Sequence, residues 1–407
     1  MEAEPPLEIF CEGGAAAVLN MEPGSSISVA YHPQFGPHND LMLLEVDEKL
    51  LPDVLHQRVT LRGQQDEDAV LCTQSKTYAV KFVGTSNSVF LVPPVGQYEM
   101  KGRCRELGFE GKVRASVLKV AQGSMEMVEV APRIDKLKML LMERLYMSSD
   151  IEIGDSGEKI GTGLYSWDDL VEMVQASDDE LRRGLDALSA VEIDGYWRIV
   201  DEQYMDLILN MLLHNIVLNE WSVDALNESE VTEVLKSDGF SPNLSRHCLK
   251  VYGRRVDSDM EMDPNSIWSL EEKKVCIHFA RKVLRGGKMK MDDFMDEWAK
   301  KIPKGMHGSF DMLEGDVLTE KFGIHTWIRA FSASYLPSNP AERFAILFKE
   351  QAKWELKNLQ PYIRDLSSLS LAQDKEANHA RLVSHLPDLE YIIFRDTGHH
   401  PFLIRVP

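Results

Sequence analysis

Few side chains in this sequence have the type and spacing that catalysis or metal binding requires. The sequence contains no Gly-x-x-x-x-Gly-Lys-Ser/Thr loop for nucleotide phosphates, no His-Glu-x-x-His zinc motif and no Gly-x-Ser-x-Gly nucleophile motif. Gly286-Gly287-Lys288 is typical of a helix end. His399 and His400 are adjacent, so on a strand their side chains would point to opposite faces. We therefore expect no enzyme, no cofactor and no metal site, although residues distant in sequence can also form a catalytic triad.

Composition and charge limit the class of protein further. The five cysteines are dispersed and form no Cys-x-x-Cys pair, which argues against a disulfide framework and a cysteine-rich zinc site. No apolar run reaches the roughly 18 residues that a membrane helix needs, and the acidic Met1–Pro6 lacks the positive start of a signal peptide. We expect an intracellular protein without a membrane partner. A net charge of −20 requires that any contact with DNA be local.

The clearest local group of positive charges begins in a predicted helix over Asn243–Tyr252. Arg246, Lys250 and Arg254 recur at four-residue spacing, so three cations would project from one face. Five further basic residues could join them if the fold brings them together: Arg255, Arg281, Lys282, Arg285 and Lys288. These eight residues are the candidate DNA contacts, acting through phosphates. The alternative is an ordinary solvated helix face.

The best-defined local structure is predicted for residues 166–200. Ser166 with Asp169, and Ser177 with Glu180, have capping-box spacing and should begin two successive helices. Asp194-Gly195 then suits a type I′ turn between two short strands. This order is typical of a winged helix, and a plain helical hairpin followed by a β-hairpin is the alternative.

The charge of this segment decides how such a winged helix would be used. Residues 166–200 contain nine acidic and three basic residues, a formal net charge of −6. A second helix that enters the DNA major groove needs a positive field, which Arg182 and Arg183 alone do not provide. We predict a protein-docking or spacer unit rather than a DNA reader. Arg182 and Arg183 are partner-interface candidates, and Tyr196 and Trp197 are either wing and core aromatics or interface anchors.

Residues 1–131 have the short, alternating apolar segments of β-structure, which favour a barrel or sandwich over a parallel sheet. Open strand edges would let a partner chain complete the barrel. Val70 and Tyr78 are the partner-interface candidates in this domain. The predicted strands are Ser26–Tyr31, Leu41–Val46, Val59–Arg62, Ala69–Thr73, Tyr78–Phe82, Ser88–Val92, Val113–Ala121 and Met125–Val130.

The pattern changes to helices after residue 131. A bridging helix is predicted over Arg133–Tyr146, and Tyr204–Val217 is apolar almost all round, as expected for a helix buried between modules. Further helix-helix-wing patterns follow. The fold class is therefore predicted to be α+β, with an N-terminal β-barrel-like domain and three tandem winged helices. The predicted domains are 1–131, 132–218 (first winged helix with its bridging helix), 219–335 and 336–407.

Many short motifs, each weak alone, together resemble those of the Dcc family of sister chromatid cohesion proteins. The similarity covers roughly residues 40–366. The motifs occur in the family's order: Asp66–Cys72, Lys76-Thr77-Tyr78, Thr85–Ser88, Lys136-Leu137 with Leu140-Leu141-Met142, Gly195–Arg198, His247–Gly253, Glu342-Arg343-Phe344, Lys353-Trp354 and Pro361–Leu366. Residues before 40 and after Ser367 match the family poorly.

The resemblance implies a nuclear, non-ATPase adaptor of the alternative, cohesion-type replication factor C clamp loader, acting in DNA replication and sister chromatid cohesion. Its implied partners are the large and small non-canonical loader subunits, which complete the barrel, DNA polymerase epsilon, DNA and, indirectly, the sliding clamp that is loaded or unloaded. A free-standing winged-helix transcription regulator is the alternative function. The alternative predicts tight, sequence-dependent DNA binding, whereas the adaptor predicts weak and sequence-tolerant binding.

Overall fold

The computed structural model describes residues 28–92, 114–148, 163–256, 266–337 and 339–364, together with Leu366 and two C-terminal strands. The chain divides into two compact units. The first takes its residues from Met1–Val59, Asp68–Leu71 and Tyr78–Glu129. The second takes Thr60–Glu67, Cys72–Thr77 and everything from Val130 onward. Two short segments before residue 130 thus belong to the second unit.

The first 130 residues form strands with one short helix. The elements are β1 Ser28–Tyr31, β2 Leu44–Glu45, α1 Leu51–His56, β3 Thr60–Arg62, β4 Val70–Cys72, β5 Thr77–Leu91, β6 Arg114–Val117 and β7 Lys119–Val130. Strands β2, β7, β5 and β4 lie side by side in that order, and β1 pairs with β6 in a separate sheet. These described strands form open sheets, so the predicted barrel is not closed by them.

Strand lengths and directions differ from the sequence prediction. The predicted strands Tyr78–Phe82 and Ser88–Val92 are parts of one strand, β5, because pairing along its whole length overrides the turn-forming residues between them. Similarly, β7 joins the region predicted as the end of one strand to the start of the next. The pairs β1–β6 and β2–β7 are parallel, although the sequence favours a barrel or sandwich over a parallel sheet. Long connections between these strands permit that direction.

The first unit has a small core and a large exposed surface. Leu50, Leu71 and Tyr78 are its buried cluster, and partly buried valines pack against them. Every residue of β5 from Lys81 to Phe90 is exposed. A sheet with so little covered surface gains less from apolar burial than a closed two-layer domain.

In the second unit, helices are followed repeatedly by short antiparallel hairpins. The elements are α2 Ile134–Met142, α3 Trp167–Met173, α4 Asp178–Ala187, β8 Ala190–Ile193, β9 Tyr196–Ile199, α5 Glu202–Leu218, β10 Leu226–Asn227, α6 Glu228–Ser237, α7 Pro242–Tyr252, β11 Gly253–Arg255, β12 Ile267–Leu270, α8 Glu272–Leu284, β13 Met289–Lys290, α9 Met291–Lys301, β14 Val317–Phe322, β15 His325–Ala330, α10 Pro340–Glu350, β16 Lys353–Glu355, α11 Leu356–Ile363, β17 Tyr391–Phe394 and β18 Phe402–Arg405. Short 3₁₀ helices occupy Phe310–Leu313 and Ala333–Tyr335.

Four groups of these elements end in an antiparallel hairpin. The first ends in β8–β9, and Tyr146 forms a bridge with Val200 beside it. The other three groups have three-stranded sheets with the same order, β10-β12-β11, β13-β15-β14 and β16-β18-β17. Three groups were predicted, so residues 219–335 contain one more than expected. The strands β11 and β12 have three and four residues and are far apart in the sequence, which weakens their pattern.

Apolar side chains fill three clusters in this unit. The largest includes Ile208 and Leu209 of α5, Leu249 of α7 and Trp298 of α9, which is 1% exposed. The prediction that the apolar helix Tyr204–Val217 is buried is wrong at two positions, since Leu207 and Val217 are exposed. Trp354, predicted at the end of a helix, lies on β16 and is buried. The predicted helix Asp374–His385 and His399-His400 lie outside the described residues.

Within the described part of the chain, no helix combines the length and the apolar character needed to span a bilayer. The predicted capping boxes and the Asp194-Gly195 turn are all present. Ser166 accepts a hydrogen bond from the Asp169 backbone N–H, and Ser177 accepts one from Glu180. Asp194 and Gly195 both have positive φ, +53° and +82°, as a type I′ turn requires.

Candidate interaction surfaces

The N-terminus of α4 is the position from which a winged helix would approach DNA, and here the chain itself covers it. The Ser177 backbone N–H donates to Thr77 Oγ1 at 2.9 Å, and Thr77 Oγ1 donates to Glu180 Oε2 at 2.6 Å. The Asp179 backbone N–H donates to the Gln74 carbonyl oxygen, and Gln74 Nε2 donates to Asp179 Oδ1. The backbone N–H groups of Ser177, Asp179 and Glu180 are therefore already hydrogen bonded.

A buried arginine completes this contact. Arg62 is 6% exposed in its side chain and forms an ion pair with Asp178. Its other guanidinium nitrogen donates to the Ala176 carbonyl oxygen. Nearby, Lys136 donates to Glu67 at 2.7 Å, and this hydrogen bond is the main reason that the pKa of Glu67 is lowered. The acidic face of α4 is thus matched by residues of the segments 60–67 and 72–77.

The partner-interface candidates of the first group differ in exposure. Arg182 and Arg183 are exposed, with Arg182 4.4 Å from the Trp167 ring centroid and Arg183 donating to the Asp179 carbonyl. Tyr196 and Trp197 are partly buried, and Trp197 packs against the core of the first group. The interpretation of Trp197 as a core aromatic therefore agrees with its packing.

The predicted helical stripe of DNA contacts is wrong at its third member. Helix α7 ends at Tyr252, and Arg254 lies on β11 opposite Ser269. Gly253 begins this strand with its own backbone close to Ser269, where a Cβ atom would lie 2.9 Å from the Ser269 carbonyl oxygen. The chain therefore changes from helix to strand before Arg254, and Arg254 does not share the face of Arg246 and Lys250.

Acidic side chains pair with six of the eight candidate DNA contacts. The six pairs are Arg246–Glu228, Lys250–Asp186, Arg281–Asp316, Lys282–Asp206, Arg285–Glu202 and Lys288–Glu320. Arg255 donates to Ser266 and lies 5.9 Å from the Trp268 ring centroid, whereas Arg254 is exposed. Surface ion pairs add little stability, but they cancel the local positive field that phosphate binding requires.

The pair at Lys282 belongs to a half-buried network. Lys282 Nζ lies 2.7 Å from Asp206 Oδ2, His278 Nε2 lies 2.9 Å from Asp206 Oδ1, and Tyr252 Oη lies 2.9 Å from His278 Nδ1. Burial raises the pKa of Asp206, but the hydrogen bonds from Lys282 and His278 outweigh it and lower the pKa. Burial lowers the pKa of His278. These contacts join α5, α7 and α8, so Lys282 has a structural partner.

The candidates Val70 and Tyr78 are buried, at 7% and 9% exposure, and the first unit presents different residues to solvent. Phe82 and Phe90 are 60% and 53% exposed and lie eight residues apart on β5, so they share one face of the strand. Met42 is also exposed, at 66%. The sequence prediction missed this apolar surface because it treated β5 as two separate strands with a loop between them.

A cavity of about 400 Å³ adjoins Phe82 in the first unit. Its lining includes Leu41, Met42, Leu91 and Met125. Lys119 lies at its wall and donates from Nζ to the His38 carbonyl oxygen at 2.8 Å. The cavity is mainly apolar, and its charged group is already hydrogen bonded, so an apolar side chain fits it better than a charged ligand. Within the described ranges, no group of three or more His, Cys, Asp or Glu side chains could hold a metal ion.

Comparison with known proteins agrees with the resemblance in the sequence. The family model described as "Sister chromatid cohesion protein Dcc1" matches residues 41–363. A sister chromatid cohesion protein of Danio rerio is 31% identical over 370 residues, which cover 88% of this chain and 89% of the relative. The Mus musculus protein is 31% identical over 332 residues, covering 80% of each chain, and the Homo sapiens protein is 29% identical over 355 residues, covering 86% of each. This chain therefore belongs to the Dcc1 family of sister chromatid cohesion proteins.

Proposed function

We propose that this chain is a non-catalytic adaptor subunit of an alternative, cohesion-type replication factor C clamp loader that acts in the nucleus. In this role it joins the large and small non-canonical loader subunits to DNA polymerase epsilon and DNA, so that the sliding clamp is loaded or unloaded during replication and cohesion. Membership of the Dcc1 family supports the link to sister chromatid cohesion. The absence of catalytic motifs from the sequence supports a non-catalytic role.

The exposed apolar face of β5 is the single observation that carries the adaptor role. Phe82 and Phe90 place two large aromatic side chains on one side of an open sheet, beside a mainly apolar cavity. Aromatic side chains in such positions anchor protein interfaces, and exposed apolar strands otherwise promote aggregation. We propose that strands from the partner loader subunits cover this face and complete a barrel with β2, β7, β5 and β4.

We further propose that the four hairpin-ended groups are winged helices, one more than the three predicted from the sequence. The support is that each group has at least two helices followed by an antiparallel hairpin, and that three of the sheets have the same strand order. In the first group, the acidic α4 contacts segments of its own chain rather than offering a DNA-reading surface. We assign this group to protein docking, with DNA polymerase epsilon as the proposed partner.

The adaptor proposal is tested with the full-length chain carrying an affinity tag, purified from nuclear extract and analysed by mass spectrometry. Phe82→Ser with Phe90→Ser removes the exposed aromatics of β5. We expect this double variant to lose clamp-loader subunits at least about tenfold, since burial of two aromatic side chains contributes more than the 1.4 kcal/mol that corresponds to tenfold.

Val217→Ser with Leu218→Ser is the matched control, because these side chains of α5 are 79% and 68% exposed and lie away from the sheet in sequence. We expect the control to recover loader subunits as the unchanged chain does. Equal recovery with all three chains would refute the role of β5. Recovery of no loader subunit with the unchanged chain would refute the adaptor function itself, and tight sequence-dependent DNA binding would then favour the transcription regulator.

A further inference from the structure

The hairpin of the third group projects two large apolar side chains into solvent at its tip. Strands β14 and β15 pair over six residues each, and Gly323 and Ile324 connect them. Phe322 is 80% exposed and Ile324 is 95% exposed. Neither side chain belongs to an apolar cluster of the second unit. These residues therefore add nothing to the core and expose apolar area that water solvates poorly.

The turn itself does not need an isoleucine. Gly323 has φ of +63°, whereas Ile324 is not among the residues with positive φ, which is the sign pattern of a type II′ turn with glycine first. The second position of such a turn usually carries Asn, Asp or Ser, which hydrogen bond locally and face water. Ile324 satisfies no conformational requirement at this position. The presence of an exposed isoleucine at the tip is better explained by contact with another molecule.

The charge around the tip indicates which class of molecule makes this contact. Lys321 and His325 flank the apolar pair and are exposed, and Lys321 has no ion pair among the described residues. Beside Lys321 on β14, Glu320 forms ion pairs with both Lys288 and Arg329. The hairpin therefore carries more positive than negative groups in a chain whose net charge is −20.

The β8–β9 and β11–β12 connections differ at the same place. The β8–β9 turn carries Asp194, with Glu192 two residues before it. The sequence between β11 and β12 contains Asp257, Asp259, Glu261 and Asp263 and no basic residue over 257–265. These two connections would be repelled by phosphate, whereas the tip at Lys321–His325 would be attracted to it.

We infer that the β14–β15 tip is a DNA minor-groove wedge, in which Phe322 and Ile324 insert at a base step while Lys321 and His325 contact the flanking phosphates. Apolar wedges on a narrow element unstack base steps in this way, and cations beside them hold the backbone. The inference rests on the proposed function, since it identifies the DNA contact of the adaptor. It also explains how DNA is bound when six of the eight candidate cations are paired with carboxylates.

The test uses the full-length chain and a duplex of arbitrary sequence with 2-aminopurine at a TA step, because 2-aminopurine fluoresces more strongly when it is unstacked. Affinity is measured by fluorescence anisotropy at several salt concentrations. We expect the unchanged chain to bind and to raise the 2-aminopurine signal. Phe322→Ser with Ile324→Ser should abolish that rise and weaken binding about tenfold, with an unchanged salt dependence because the cations remain.

Lys321→Gln separates the charge from the wedge. This variant should keep the 2-aminopurine signal at saturating protein and reduce the slope of log affinity against log salt by about 0.9, the value for one phosphate contact. The control variant Val217→Ser with Leu218→Ser, which changes exposed side chains of α5, should bind and unstack DNA within about twofold of the unchanged chain.

Three outcomes would overturn the inference. Binding without an increase in 2-aminopurine fluorescence, or equal increases with and without Phe322 and Ile324, would exclude a wedge while leaving DNA binding intact. Loss of loader subunits or polymerase from the Phe322→Ser with Ile324→Ser variant, with unchanged DNA binding, would identify the tip as a protein contact instead. Failure of the unchanged chain to bind DNA would overturn both the wedge and the DNA contact in the proposed function.

Discussion

The first and third hairpin-ended groups both contain helices followed by an antiparallel hairpin, but they differ in which of their surfaces the chain itself covers. In the first, the N-terminal turn of α4 is covered by Arg62, Gln74 and Thr77, and Trp197 packs into the core. In the third, Phe322 and Ile324 contact neither apolar cluster, and Lys321 has no ion pair in the described part of the chain. The terminus of α4 in the first group is thus part of the architecture of the chain, whereas the hairpin tip of the third group is available to a partner.

The largest expected effect among the tests of this difference is that of substituting Arg62. Arg62→Ala removes a buried guanidinium and leaves Asp178 and the Ala176 carbonyl without that donor. Because Asp178 is partly solvated, we expect a loss of about 3 kcal/mol in the free energy of unfolding, at the lower end for a broken buried ion pair. Urea unfolding of the full chain measures it. Lys321→Ala is the control and should change stability by less than about 0.5 kcal/mol; equal effects would abolish the contrast.

The buried side chain of His247 can be tested through the pH dependence of stability. It lies on α7, its Nε2 atom is buried without a hydrogen-bond partner, and burial lowers its pKa to about 4, with Lys250 lowering it further and a backbone hydrogen bond with Ser189 opposing the shift. The folded state therefore favours the neutral ring. Its contribution to stability is fully present above the unfolded pKa of about 6.5 and is lost as pH falls toward about 4, by up to about 3 kcal/mol.

Replacing His247 with Asn removes this titration. We expect the difference in unfolding free energy between pH 7 and pH 4.5 to be smaller for His247→Asn than for the unchanged chain, in parallel urea titrations. Other carboxylates and histidines titrate over the same range in both chains, so the difference between the two profiles isolates His247. Superimposable profiles would show that the His247 ring is hydrated or already protonated in the fold.

Alanine substitution of the two glycines at the hairpin tips should lower the free energy of unfolding by smaller and similar amounts. Gly195 and Gly323 both have positive φ, and no atom lies within 4 Å of a Cβ added at either. Alanine at each position meets only backbone strain, which costs about 1 kcal/mol. Thermal or urea unfolding of Gly195→Ala and Gly323→Ala should show similar losses. A much larger loss at Gly323 would mean that the third hairpin is held by contacts beyond its turn.

The smallest effect is expected for the apolar pair itself. Phe322→Ser and Ile324→Ser remove side chains that are almost fully exposed, so each should alter the free energy of unfolding by less than about 0.5 kcal/mol. Solubility at high protein concentration should improve, because the exposed apolar patch is lost. A destabilisation above 1 kcal/mol, measured by urea unfolding, would indicate that the tip packs against the protein after all.

Local chemistry predicted part of this structure well. The Ser166 and Ser177 capping boxes, the Asp194-Gly195 turn and the end of α8 before Gly286 depend on residues within one turn of each other. The positive-φ glycine at 287 follows directly from that stop. Such features are short-range, and neighbouring residues suffice to specify them.

Features that depend on distant residues were not predictable in the same way. Lys250 meets Asp186 across 64 positions and Lys282 meets Asp206 across 76, so the sequence near each cation gives no sign that it is paired. The burial of Val70 and Tyr78 depends on the strands beside β4 and β5. The extra hairpin group was missed because β11 and β12 are short and their pairing is set by the helices packed on them. The ion pairs of the candidate DNA contacts could not be predicted, for this non-local reason.

The membership of Thr60–Glu67 and Cys72–Thr77 in the second unit has a consequence for biosynthesis. These residues leave the ribosome early, yet Arg62 and Thr77 meet partners 116 and 103 positions later, at Asp178 and Glu180. Contacts of such sequence separation close slowly, because the intervening chain must first be ordered. The polar groups of residues 60–67 and 72–77 therefore remain hydrated until residue 180 has been synthesised. A nascent chain that stalls before that point cannot finish the second unit, so truncation products should be substrates for chaperones rather than stable fragments.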